Sequence, residues 1–145
     1  MRVKQLYDTD FFEWTVRNAE LLRAGRVEEV DIEHVAEELE DMGKSQRRAL
    51  ESRLEVLLAH LLKWKHQPDG RGSSWKGTIR LQRSKIQKLL REMPSLRLIL
   101  PEALPDAYEN AVIRAAAESG LAEETLPGKS PFTIDQILDA GFYPE

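Results

Sequence analysis

Apolar residues recur along almost the whole chain at intervals of three and four, and no stretch alternates apolar with polar residues between two tight turns. A chain patterned this way buries stripes, not sheet faces, so the expected architecture is helix packed on helix. The first predicted helix runs from Asp10 to Ala24. Asp10 and Glu13 stand in capping-box spacing, Gly25 supplies the left-handed stop, and Phe12, Val16, Ala19 and Leu22 form the expected inner stripe. A second helix starts at Asp31 as N-cap, with Val30 and Val35 placed as a hydrophobic staple. Its stripe is Ile32, Val35, Ala36, Leu39 and Met42. Gly43 either ends that helix or lies inside one long helix reaching His66, and both readings stay open because tertiary packing can absorb a helical glycine. Leu50, Leu54, Leu57, Leu58, Leu61, Leu62 and Trp64 span an arc of about 160°, with Val56 and Ala59 opposite, so this central helix is expected to be touched from several directions.

The segment from Pro68 to Ser73 holds the strongest breakers in the chain, and Ser74 is the expected N-cap of the next helix. There Trp75, Ile79, Gln82, Ile86, Leu89 and Met93 repeat at helical spacing until Pro94 stops the run. A short turn between Leu96 and Ala107 should precede a helix from Pro105 to Ser119, closed by Gly120, with Tyr108, Ala111, Val112 and Ala115 inward. Thr133 and Gln136 form a capping box, and Phe132 and Ile137 a staple, for a closing helix to Asp139. No repeat, low-complexity tract or linker divides the 145 residues, so the sequence reads as an all-α, single-domain bundle of five or six helices with a long or Gly43-kinked central helix.

The chain has no cysteine, which excludes disulfide scaffolds, thiolate nucleophiles, zinc fingers and iron–sulfur clusters together. The longest apolar-dominated run, Val56 to Leu62, is far short of the roughly 20 residues of a membrane span, and the N-terminus has no signal-peptide core. A cytoplasmic protein with no membrane partner is expected.

Charge is distributed in three blocks. Residues 1–43 carry 5 Lys/Arg against 12 Asp/Glu, residues 44–97 carry 14 against 4, and residues 98–145 carry 2 against 9. The net charges are −7, +10 and −7, which sum to the −4 of the whole chain. Three readings follow: acidic flanks that neutralise a basic middle within the molecule, an acidic protein partner, or a cationic face for nucleic acid. On the helix after residue 74, Lys76, Arg80, Arg83 and Arg91 fall within about 80° beside the apolar stripe, a cationic ridge suited to anions or nucleic acid. Arg83 borders the core side, and a bidentate pair with Glu38 or Glu40 is its expected structural role.

Catalytic constellations are absent from the pattern. None of the eight serines lies in a Gly-x-Ser-x-Gly elbow, and the glycines from Gly70 into Ser74 follow no strand, so they read as a turn and a cap. His34, Glu37, Glu38 and Asp41 lie on consecutive turns, but Glu33, Glu37, Glu40 and Asp41 form a solvated acidic stripe, and no metal or cofactor is expected. His60 beside Trp64 reads as a hydrogen-bonded core histidine before a ligand or general base, and Trp64 and Trp75 read as packing anchors.

YDTDFFEW at 7–14, LLRAG at 21–25, AEELEDMG at 36–43, HLLKWKHQ at 60–67 with the following SSW, TIRLQR at 78–83, PSL at 94–96, AYENA at 107–111 and SPFTIDQILD at 130–139 together resemble the bacterial family named Domain of Unknown Function 29. The resemblance runs from Tyr7 to Pro144 and implies a small all-helical bacterial protein with no assigned activity. The family's characteristic positions correspond here to Asp10, Trp14, Glu37, Glu38, Leu39, Gly43, His60, Leu61, Leu62, Trp64, Gln67, Trp75, Arg83, Pro94 and Leu96. Leu126 stands before Pro127 where the family often has phenylalanine. The polar or amphipathic members, Glu38, His60, Trp64, Gln67, Trp75 and Arg83, mark the 60–83 hairpin as the place to look for a site. The leading expectation is a non-enzymatic bundle acting through protein contacts, as a homo-oligomer or with an acidic partner. A nucleic-acid-binding module and a cryptic ligand or enzymatic site in the hairpin are the alternatives.

Overall fold

A computed structural model describes residues 2–145. Among them lie six α-helices and no strand: α1 Val3–Thr9, α2 Phe11–Arg23, α3 Ile32–His66, α4 Ser73–Glu92, α5 Leu100–Ser119 and α6 Ile134–Leu138. The all-α expectation holds, and Gly43 lies inside α3, which runs unbroken for 35 residues. A glycine in a helix interior costs about 1 kcal/mol relative to alanine, and no atom lies within 4 Å of where a Cβ on Gly43 would sit. No helix of the described residues is long and apolar enough to cross a membrane. Contacts divide the chain into two compact units, one ending at Gln46 and one spanning Arg47–Glu145.

In the first unit a short helix absent from the sequence expectation, α1, buries Val3 and Leu6 against Trp14, with Tyr7, Leu21 and Val35 around them. Asp10 caps α2 by accepting from the Glu13 backbone N–H at 3.1 Å. The stripe expected to face inward on α2 faces out instead: Phe12 is 76 % exposed, and Val16 and Leu22 are exposed too. Polar pairing chose the face. The Trp14 indole N–H donates to Asp31 Oδ2 at 2.9 Å, the Asn18 amide donates to the Trp14 carbonyl at 2.8 Å, and the Asp31 backbone N–H donates to Asn18 Oδ1 at 3.0 Å. Turning Phe12 and Val16 inward would strip three buried polar groups of these partners, which costs more than an exposed phenylalanine. The expected stripe of α3 is likewise outward: Ile32, Leu39 and Met42 are 56 %, 61 % and 64 % exposed, and only Val35 packs on the small core.

In the second unit Leu50, Leu54, Leu57, Leu58, Leu61 and Leu62 of α3 are buried, and Ala59 opposite them is fully buried as well, as a helix touched from several directions requires. α3 is therefore wrapped from Leu50 onward. α4 contributes Ile79, Ile86 and Leu90, while α5 contributes Ala103, Ala107, Ala111 and Ala115, a small-residue face that lets helix axes approach closely. α5 begins at Leu100, five residues before the expected start, and carries Pro105 within it. Burial of Leu100 and Ala103 outweighs the one backbone bond the proline removes. Gly72, not Ser74, is the N-cap of α4, and no side chain caps that end. Gly120 takes φ +78° to close α5, and Thr133 and Gln136 form the expected reciprocal capping box at α6.

Replacing Trp14 by Phe keeps the ring and removes the bond to the buried Asp31 carboxylate. The expected loss is about 1–3 kcal/mol, read as faster amide exchange within residues 2–46 while exchange within Arg47–Glu145 stays unchanged.

Candidate functional site

The turn between α3 and α4 gathers the densest set of cations and aromatic rings in the second unit. A Cβ at Gly70 would come within 2.3 Å of the Trp75 ring, so any side chain there would displace that ring. The returning chain lays Arg71 across Trp64: its Nε donates to the Trp64 carbonyl at 2.7 Å and its guanidinium sits 5.4 Å from the Trp64 ring centre. Lys76 Nζ lies 5.9 Å from the Trp64 ring and 5.8 Å from that of Tyr143, whose own ring is 4.9 Å from Trp64. Arg83 is 5.6 Å from the same tyrosine. Lys63, buried, pairs with Glu118 at 3.1 Å and lies 5.2 Å from the Trp75 ring, and Gln67 donates to the Ser119 carbonyl at 3.0 Å. Cations stacked on rings in this way keep their charge while sheltering apolar surface.

Of the residues singled out from sequence, Trp64, Gln67, Trp75 and Arg83 therefore belong to this hairpin and its contacts with α5 and the C-terminal segment. His60 lies one turn before Trp64, half-buried, with Nδ1 bonded to the Val56 carbonyl at 2.9 Å. Glu38 is elsewhere, in the first unit, accepting from the Tyr7 hydroxyl at 2.6 Å. The expected pairing of Arg83 with Glu38 or Glu40 does not occur. Arg83 is 3 % exposed, and it donates from Nε to the Ile137 carbonyl at 2.8 Å and from a terminal nitrogen to the Gln136 carbonyl at 3.3 Å. Both carbonyls sit in the last turn of α6, whose carbonyl end attracts a cation, and that of Gln136 also accepts the Asp139 backbone N–H at 3.3 Å. Burial lowers the Arg83 pKa, with Tyr143 and Asp139 acting the other way.

Removing Arg83 from the ridge leaves Lys76, Arg80 and Arg91 on it, joined by Lys88 within about 120° of the α4 surface. All four are exposed, and Lys85 is exposed beside them. Lys88 approaches Glu92 at 4.0 Å, whereas Arg80, Lys85 and Arg91 form no ion pair among the described residues. The acidic flanks thus neutralise the basic block only in part, through Lys63–Glu118 and the bond of Arg47 to Glu102 at 3.6 Å.

A second polar cluster, in the first unit, went unread in the sequence. Asp31 accepts from both the Trp14 indole and His34 Nδ1, the latter at 2.7 Å, and the His34 ring stacks on Tyr7 at 3.8 Å. Burial pushes the Asp31 carboxyl up, but the bonds from Trp14 and His34 and the charge of His34 outweigh it and hold the pKa below its ordinary value. The Tyr7 hydroxyl is pushed up to about 12 by its bond to Glu38, then by burial and the neighbouring carboxylates. Spacing could have suggested Asp31 and His34 as an i,i+3 pair, but nothing local marks Trp14 as the third member. Neither cluster includes three His, Asp or Glu side chains placed to hold a metal ion, and no such group occurs among the described residues.

A family model described as domain of unknown function DUF29 matches residues 6–143. No curated protein and no solved structure matches the chain.

The two units should lose stability in different pH ranges. Burial lowers the pKa of His60 and of His66 below 6.5, so the folded second unit disfavours their protonation. Their contribution is complete above pH 6.5 and fades as pH falls below it. Asp31, with a folded pKa below 3.8, contributes above that value and is lost only in stronger acid. Amide protection factors, which correct for the slower intrinsic exchange in acid, should fall first within Arg47–Glu145 as pH is lowered from neutral, and His60→Gln should remove part of that sensitivity.

Proposed function

The chain belongs to the DUF29 family, and for this member we propose a non-enzymatic helical contact module that receives an acidic protein surface on α4. The observation that supports this reading is the run of exposed cations Lys76, Arg80, Lys88 and Arg91, where Arg80 and Arg91 form no ion pair among the described residues. A rigid helix holds these charges at fixed spacing, and a partner with a matching row of carboxylates gains orientation and association rate from it. Leu81, 52 % exposed, adds an apolar contact beside the charged row. Trp64, Trp75 and Tyr143 are engaged in packing and in cation contacts, so the face presents charge with little ring surface for bases to stack on. The module works in the cytoplasm of a bacterium, a setting that a cysteine-free chain tolerates without penalty.

The test is fluorescence anisotropy of the full chain with a labelled Asp/Glu-rich peptide and with single- and double-stranded oligonucleotides of equal charge, at low and moderate salt. The acidic peptide should bind, and Arg80→Gln combined with Arg91→Gln should weaken it about tenfold or more. No peptide binding at low salt overturns the proposal. Tighter binding of an oligonucleotide, with a salt slope near −0.9 per phosphate neutralised, replaces it with the nucleic-acid reading.

A further inference from the structure

Ile32, Ala36, Leu39 and Gly43 fall within about 60° of one another on α3 and make an uninterrupted apolar strip roughly 16 Å long. Ile32 and Leu39 are more than half exposed, Ala36 and Gly43 are exposed, and Met42 at the strip's edge is 64 % exposed. At the strip's C-terminal end is a glycine that the chain itself does not need. Its φ is negative, it ends no helix, and a Cβ added there would meet nothing within 4 Å. Glycine is the poorest helix former apart from proline, so a helix that keeps one at this point gains from a close approach by something outside the chain. Alternating large and small residues, Ile32 and Leu39 with Ala36 and Gly43, are what two helices need to interlock at the short end of the interaxial range.

We infer that this strip is the interface of an antiparallel homodimer in which Leu39 of each copy packs over Gly43 of the other. The charge pattern selects a second copy and its direction. Along one flank of the strip Glu33 and Glu40 come first and Lys44 follows. Glu40 and Lys44 are both exposed and form no ion pair among the described residues. A two-fold axis at the level of residue 41, perpendicular to the helices, brings Glu40 of each copy within a turn of Lys44 of the other. It also brings Leu39 to the level of the partner's Gly43. Each contact is then made twice, as an isologous interface requires. Parallel pairing would instead collect the acidic first turns of both copies at one end. The interface is independent of the cationic face of α4, since none of its residues lies on that helix.

Light scattering of the full chain over a concentration series should show a monomer giving way to a dimer. Leu39→Gln, a substitution at an already exposed position, should leave the helix content unchanged and raise the dissociation constant about tenfold or more. Gly43→Gln should raise thermal stability, because a better helix former replaces glycine, yet abolish the dimer by filling the space Leu39 enters. The absence of native cysteine gives a direct test of direction. Ala36→Cys and Gln46→Cys proteins, mixed and mildly oxidised, should cross-link with each other while neither cross-links with itself. A chain that stays monomeric at every concentration, a dimer indifferent to Leu39→Gln, or self-linking of the Ala36→Cys protein each overturns the inference.

Discussion

Covering the leucine-rich half of α3 is the constraint on which the second unit depends. Leu50, Leu54, Leu57, Leu58, Leu61 and Leu62 point in directions too widely spread for one neighbouring helix to bury them all. Fully burying each leucine contributes roughly 1.5–3 kcal/mol, so the unit gains most by wrapping the helix. The hairpin through Pro68–Gly70 brings α4 back along α3, the alanine face of α5 comes close, and Phe132 and Ile137 join the same core from the C-terminal segment. Arg83 then becomes unavoidable. It lies one residue from the Gln82 row of α4, on a surface already committed to the core, and finds the end carbonyls of α6 in place of a carboxylate. A buried cation met only by carbonyls and a tyrosine ring ties α6 and the C-terminus to α4 without placing a second charge in the interior.

The periodic half of this arrangement was legible. Leucine spacing, the breakers around Gly70, the capping box at Thr133 and the left-handed stop at Gly120 are local signals, and each acts over a few residues in the folded chain as it does in the sequence. Where the sequence misleads, a non-local polar partner decides. Phe12, Val16 and Leu22 make a better apolar stripe than Trp14 and Asn18, yet the latter are buried because Asp31, thirteen residues beyond Asn18, satisfies both side chains. Arg83 is the same lesson with opposite chemistry: a cation beside an acidic block suggests a carboxylate, whereas helix-end carbonyls fifty residues later supply the acceptors. The Asp31–His34–Tyr7 stack was invisible for the same reason, since Tyr7 belongs to a seven-residue helix too short to announce itself by periodicity.

Hydrophobic pattern and burial part company most clearly on α3. Ile32, Ala36, Leu39 and Gly43 fall on the helix face that further along carries Leu50, Leu54, Leu57 and Leu61, at the same period. One stretch of that face is core and the other is bare. A sequence records the demand for a partner, not whether the partner is covalently attached, so both stretches read as interior. The same holds for charge. An acidic first block and a basic middle are arithmetically suited to neutralise one another, but long side chains on exposed helix faces gain little from pairing, and Arg80, Lys85 and Arg91 form no ion pair among the described residues. Apolar surface and unpaired charge left over in this way are the usual raw material of association, because an incoming surface supplies the burial and the counter-charges that the chain's own helices do not.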